Sequence, residues 1–407
     1  MTHELPEGWK TSDLTSICQN GLFTDGDWIE SKDQDPNGEV RLIQLADIGD
    51  GVFIDKSSRF VTIDTAKRLK CTHIEWGDIL IARMPDPIGR ACLFPLDQPS
   101  ITAVDVCIVR PLKETTNSTW LMNAINRLGF RMRIDENATG TTRKRISRKN
   151  LGKLELWLPP KAEQARIAEV LTSVDDAIRA TQAVIEQTRT VKKGLLQTLL
   201  TQGLGHTKFK TSPLGPIPAS WAIKRQGDVA KYYNGRAYKK TEWEEEGVPV
   251  IRLQNLTGRG HKFYYSSLQL PKRQYCDDGD LLYMWSATFG PHIWQRGRAI
   301  YHYHIWKIIC DEISLTKIFQ YYFLDFKTQQ WKSSANGMAM LHLTKNGMED
   351  LHVPLPPIEE QKKIAERLQA VDLVLNENEQ KLTQLQTLKS GLMSDLLTGR
   401  VRVGGKC

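Results

Sequence analysis

The chain repeats itself at a constant interval, and this constrains its fold more than any other feature. Leu158-Pro159-Pro160 recurs as Leu355-Pro356-Pro357, Glu163-Gln164 as Glu360-Gln361, and Val174-Asp175 as Val371-Asp372. Gly194-Leu195 and Leu199-Leu200-Thr201 recur as Gly391-Leu392 and Leu396-Leu397-Thr398, and every pair is 197 residues apart. So long a run with no insertion or deletion implies one rigid element used twice. Upstream the interval drifts. Leu5-Pro6-x-x-Trp9 resembles Ile217-Pro218-x-x-Trp221 at 212, and Gly77-Asp78 resembles Gly279-Asp280 at 202. Gly140 and Ile146-Ser147 match Gly337 and Leu343-Thr344, back at 197. Each half is therefore a variable module followed by a fixed one.

The fixed module reads as a long heptad helix. Ile167, Leu171, Val174, Ile178, Thr181, Ile185, Thr188, Leu195 and Leu199 follow steps of four and three, with one position skipped. The second copy gives Ile364, Leu368, Val371, Leu375, Asn378, Leu382, Leu385, Leu392 and Leu396 with the same steps. That is an a/d seam, and Lys192 and Lys389 occupy the skipped positions. Paired prolines suit the helix starts, Pro159-Pro160 and Pro356-Pro357, and Gly203 and Gly399 suit the ends. Two such helices in one chain should pair with each other. Antiparallel pairing places one module at each end, whereas parallel pairing would crowd both together. Thr181 and Asn378 are polar seam positions that could fix register or be tolerated edges.

The expected fold is α+β: two globular mixed α/β modules separated by two long helices that pair as an antiparallel coiled coil, with an internal pseudo-twofold repeat. The divisions are 1–158, 159–202, 203–355 (203–218 being a Gly-, Pro- and Ser-rich linker), 356–400, and a tail, 401–407. Val40–Leu45, Asp78–Ala82, Val104–Val109, Val248–Leu253 and Asp280–Met284 read as strands.

Composition excludes several classes. No apolar run approaches the roughly 18 residues that span a bilayer, and Met1 to Pro6 offers no secretory signal, so a cytoplasmic location is expected. The seven cysteines are odd in number, widely spaced and without a CxxC, which argues against a disulfide framework or zinc ribbon. No phosphate-binding Gly-rich loop, helicase motif, amino-methyltransferase Asn/Asp-Pro-Pro-aromatic motif or S-adenosylmethionine turn is present. Met84-Pro85-Asp86-Pro87 only brushes against the methyltransferase motif. His302-x-His304 could offer two metal ligands from one strand face, but lacks companions at ligand spacing. The chain by itself reads as non-catalytic, with no cofactor or metal of its own.

Charge places the partner. Net charge is +8, and the two helices are nearly balanced, so the excess lies in the modules. The densest cluster holds Arg143, Lys144, Arg145 and Arg148 among hydroxyl residues. Such a set suits phosphate oxygens, or forms a solvated loop. The second copy retains only Lys345 there. All eleven tyrosines lie in 203–355. There Arg236, Tyr238, Lys239 and Lys240, with Lys262 nearby, interleave bases and aromatics in a way that suits DNA contact. Two divergent readers on a constant ruler suggest two half-sites at fixed spacing.

These motifs, Leu-Pro-Pro-x-x-Glu-Gln at 158–164 and again at 355–361 with the Gly-Leu…Leu-Leu-Thr endings, resemble the DNA-specificity subunit of type I restriction-modification systems. The resemblance runs through nearly the whole chain. It implies two target recognition domains reading the halves of a split double-stranded DNA site, and a coiled coil that sets their spacing and docks two modification subunits. Pro159, Pro160, Glu163, Gln164, Pro356, Pro357, Glu360 and Gln361 are the candidate docking residues. It further implies adenine methylation with S-adenosylmethionine in those partners, and ATP- and Mg2+-dependent translocation and cleavage in motor-nuclease subunits. A stand-alone bipartite DNA-binding regulator, or a purely structural adaptor, would share the ruler.

Overall fold

The computed structural model describes residues 5–85, 87–286, 288–334 and 343–403. The chain divides into two units. One comprises Met1–Gln182 with Gln380–Cys407, and the other Ala183–Glu379. Both long helices, Lys161–Thr201 and Ile358–Leu396, contribute to both units.

In the first unit, Leu22–Asp25, Val106–Arg110, Ile79–Ala82 and Ala91–Leu93 form an antiparallel four-stranded sheet in that order. Ile79–Ala82 is apolar throughout and buried throughout, as a central strand covered on both faces must be. A second sheet pairs Val40–Ile43 with Arg59–Val61 and, in parallel, with Ser100–Thr102. The helix Ser118–Asn126 starts where the Asn117 side chain accepts from Trp120 N–H, and its Trp120 and Leu121 enter the core. Lys10–Asp13 and Glu155–Leu158 pair antiparallel, joining the entry and exit of the module.

The second unit repeats this plan. Ala230–Asn234, Ile305–Cys310, Leu281–Ser286 and Thr288–Ile293 form the corresponding sheet in the corresponding order. Val248–Ile251 lies between Tyr264–Ser266 and a parallel Ala299–Tyr301, and Tyr275–Cys276 extends that sheet. Ala222–Arg225 pairs with His352–Leu355, again closing the module on itself.

Within each unit the start of one long helix runs antiparallel to the end of the other. In the first, Ile167 and Leu171 share a core with Leu396 and Leu397. In the second, Ile364 and Leu368 share one with Leu196, Leu199 and Leu200. The skipped seam lysines each meet an aspartate of the opposite helix: Lys389 lies 2.6 Å from Asp175 and Lys192 lies 2.6 Å from Asp372. A lysine can occupy a seam when its stem packs and its charge is paired. Thr181 and Asn378 each donate to the carbonyl four residues earlier in their own helix.

The structure corrects several expectations. The strand expected over Val40–Leu45 ends at Ile43, because Asp47 accepts from Gln44 N–H and turns Leu45–Asp47 into a helical turn. Asn255 accepts from Arg252 N–H at the equivalent place, so Val248–Leu253 also stops early, at Ile251. His302 forms an isolated bridge after Ala299–Tyr301 and His304 lies in the turn that follows, so the two do not share a strand face. The 203–218 linker contains a short hairpin, Phe209–Lys210 against Ile217–Pro218.

Candidate nucleic-acid interface and the clasps beneath it

The repeated Glu-Gln pairs do their work inside their own units. Gln164 is 1% exposed and Gln361 0%. Gln164 Oε1 accepts from Asn117 N–H at 2.8 Å, and its Nε2 donates to the carbonyls of Pro159 and Thr115. Gln361 repeats this with Thr316 N–H and the carbonyls of Pro356 and Ser314. Every polar atom of each amide is thereby used, as a buried amide requires.

Glu163 and Glu360 hold a clasp. Trp9 Nε1 donates to Glu163 at 2.9 Å, and Trp221 Nε1 donates to Glu360 at 3.0 Å. Chain that follows the end of the opposite helix closes each clasp. Arg402 grips Glu163 with two donors, at 2.7 and 2.8 Å. At Glu360 the place is taken by Leu204 N–H and by His206, whose Nε2 lies 2.7 Å from the carboxylate. Gln164 and Gln361 are buried, and Glu163 and Glu360 spend their oxygens on module entry and helix exit. Pro159 and Pro356 are buried and supply carbonyl acceptors, while Pro160 and Pro357 stay on the surface.

On the first module a basic cleft of about 800 Å³ is lined by Arg83, Arg145, Arg148, Lys149 and Lys153, with Asp25 among them. Arg145 pairs with Asp105 at 3.1 Å, and Arg148 donates to the Thr24 hydroxyl at 3.3 Å. Lys144 is held by Asp135 at 2.9 Å, and Arg143 is exposed. Arg83, only 3% exposed, bonds Asp25 at 3.0 Å and the Val104 carbonyl. Burial, with Arg145 as a like-charged neighbour, holds its guanidinium below the usual value. A cation buried this way is a fixed source of positive potential. Sequence reading found the Arg143–Arg148 run but missed Arg83 and Lys153, whose separation in sequence hides their convergence.

The second module distributes its candidates differently. Arg236 spends both prongs on Glu242, at 2.6 and 3.0 Å, and lies over the Tyr238 ring. That ion pair pushes the Glu242 carboxyl down to about 2. Tyr238 packs against Trp243 and His302, with its hydroxyl buried. Both residues are half-exposed, Arg236 paired with Glu242 and Tyr238 with its hydroxyl turned inward. Lys239, Lys240 and Lys262 are exposed, Lys262 near the Tyr264 ring. Trp285, Tyr303 and His304 add an aromatic cluster at the turn. Among the described residues no group of three or more His, Cys, Asp or Glu could hold a metal ion, and no helix is long and apolar enough to cross a membrane.

Two modules of one topology on repeated helical clasps define a bipartite recognition protein. The sequence matches the type I restriction modification DNA specificity domain twice, over residues 6–188 and 218–387, and the chain belongs to that family. A sequence assigned to the MjaX type I restriction enzyme of Methanocaldococcus jannaschii as its specificity subunit is 26% identical, over 98% of this chain and 95% of its own. The MjaVIII specificity subunit of the same organism is 27% identical over 65% of this chain and 66% of its own. In fold, the chain is similar to the type I specificity subunit of M. genitalium, with a TM-score of 0.60, 15% identity and 97% of each chain covered. A chain from a structure of type I restriction-modification complex assembly gives 0.61 at 17% identity, covering 98% of this chain and all of that one. The protein is a non-catalytic specificity subunit of a type I restriction-modification system, and its partners are DNA and the modification and restriction subunits of that system.

Proposed function

We propose that each module reads one half of a split DNA site and that the paired helices, which contribute to both units, set the spacing of the halves. Two modification subunits carry S-adenosylmethionine and methylate adenine, while motor-nuclease subunits supply ATP- and Mg2+-dependent cleavage in the cytoplasm. The observation that carries this reading is the contrast between constant clasps and divergent outer faces in two modules of the same strand order. The basic residues Arg143, Lys144, Arg145 and Arg148 on the first module contact phosphates, which position the protein without reading sequence, while Lys239, Lys240 and Lys262 on the second lie exposed on its DNA-facing side.

The test is to replace 203–355 with the module of a relative and map methylated adenines in cells that also carry the modification subunit. One half-site changes and the other, with the spacer, stays. A swap that alters both halves overturns the reading.

A further inference from the structure

The first module's basic cleft has a counterpart position in the second, and the chemistry there is different. Three landmarks align the two. Gly26 and Gly235 both donate from their N–H to the carbonyl of the neighbouring strand, Val106 and Ile305, at the same corner of the sheet. Ser147 and Thr344 both cap a short helix, accepting from Asn150 and Gly347 N–H. Gly77-Asp78 and Gly279-Asp280 both precede the central strand.

On this alignment Asp25 corresponds to Asn234 and Arg83 to Trp285. Arg148, Lys149 and Lys153 correspond to Lys345, Asn346 and Asp350. In sequence, Arg143-Lys144-Arg145 corresponds to Met340-Leu341-His342, which lie outside the described residues. Lys345 lies 3.5 Å from Glu349, and Asp350 is taken by Arg225. Trp285 donates to the Tyr303 carbonyl and stacks on Trp306. Five cationic side chains line the cleft in one module, and one paired lysine remains at the described counterpart positions in the other.

The cleft is also under-satisfied. The Nε atoms of buried Arg83 and of Arg145 have no hydrogen-bond partner, nor does Asp25 Oδ1 in hydrogen-bond geometry. Crowded guanidiniums with unused donors favour an anion that accepts from several at once. Thr15, Thr139 and Ser147 line the same cleft and add hydroxyl donors.

We infer that the two modules hold DNA by different means: the first anchors the sugar-phosphate backbone in this cleft, and the second has no equivalent anchor among its described residues. This inference rests on the reading of the chain as a reader of two half-sites. It makes the salt dependence of binding a property of one half-site, while the second module relies on aromatic and hydrogen-bonding contacts.

The experiment uses the full chain assembled with its modification subunits and a duplex carrying the mapped site. Affinity is measured across a salt series for wild type, for Arg145→Gln/Arg148→Gln/Lys149→Gln/Lys153→Gln, and for Lys239→Gln/Lys240→Gln/Lys262→Gln. Each lost phosphate contact flattens the log–log slope by roughly 0.9, so the cleft variant loses about three to four units and the second-module variant about one or less. Phosphate ethylation interference on the wild-type complex gives the same answer without substitutions, and covers the case in which the cleft variant does not fold. Strong interference at the first module's half-site and weak interference at the other supports the anchor. Equal slope losses, or equal interference at both half-sites, overturn it while leaving the two-half-site reading intact. A wild-type complex that shows no preference for the mapped site overturns that reading and the anchor with it.

Discussion

The bases of the two modules and their outer faces follow opposite rules. At the base, Trp9, Glu163 and Gln164 in one unit and Trp221, Glu360 and Gln361 in the other make nearly the same hydrogen bonds at nearly the same distances. On the outer faces, corresponding positions carry Lys149 and Lys153 in one module and Asn346 and Asp350 in the other. The bonds at the base are buried and fully satisfied, so a change there leaves a polar group without a partner inside the protein. The faces meet solvent or DNA, so substitution there costs the fold little. A specificity subunit can therefore acquire new target sequences without redesigning its frame.

The comparison breaks first at the buried amides. Gln164→Ala and Gln361→Ala should each destabilise their own unit by about 2–3 kcal/mol, since each strands a buried N–H and two carbonyls. Hydrogen exchange resolved by unit checks this. Unequal costs would show that the two bases are not energetic copies despite matching geometry.

A smaller effect is expected where the clasps differ. Exchanging the closing residues, Arg402→His with His206→Arg, should change stability by no more than about 1 kcal/mol, because Arg402 is 41% exposed and screened by solvent. Equilibrium unfolding of the exchanged chain measures it. A larger loss would mean that each clasp is tailored to its own closing residue.

At neutral pH the smallest effect concerns the second module alone. Burial, helped by His304 and Arg252, holds the His302 imidazole down to about 4. An unfolded histidine titrates near 6.5, so the folded form binds fewer protons. Its stabilising contribution is present above about pH 6.5 and declines as pH falls towards 4. His302→Phe should flatten this part of the stability profile. His304 and His292 are also held low by burial, so the slope shrinks without vanishing.

Some of this was legible in the sequence because it was written twice. Spacing preserved over 197 residues marked the helices, and looser matches marked their glycine ends, 196 apart, and the Trp-bearing entries, 212 apart. The lysine at each skipped seam position and the repeated Val-Asp pair were both visible. Only the antiparallel register shows that they meet, as Lys192 with Asp372 and Lys389 with Asp175. The faces were less readable. Arg236 and Tyr238 read as a DNA-contacting set, and only the fold shows that Glu242, six residues after Arg236, pairs with its guanidinium. Arg83 sat inside an apolar strand context, and its role emerged only when Asp25 and Arg145 were brought beside it. Motifs repeated for packing survive as patterns. A charged cleft assembled from distant strands and loops leaves no local pattern to find.

The glycines that end the long helices carry a last consequence. Gly203 and Gly399 both take φ of +66°, a region that side chains rarely enter. A Cβ on Gly203 would lie 2.5 Å from Glu360 Oε1 and 2.6 Å from Trp221, and one on Gly399 would collide with Pro6. Each helix is thus pinned at both ends, by a buried glutamine near its start and by a glycine wedged into a clasp just past its finish. One added residue would swing the downstream glycine by about 100° around the axis, away from its seat. Helix length in this protein should therefore evolve in jumps: whole-turn changes can reseat both ends, and intermediate lengths are weeded out.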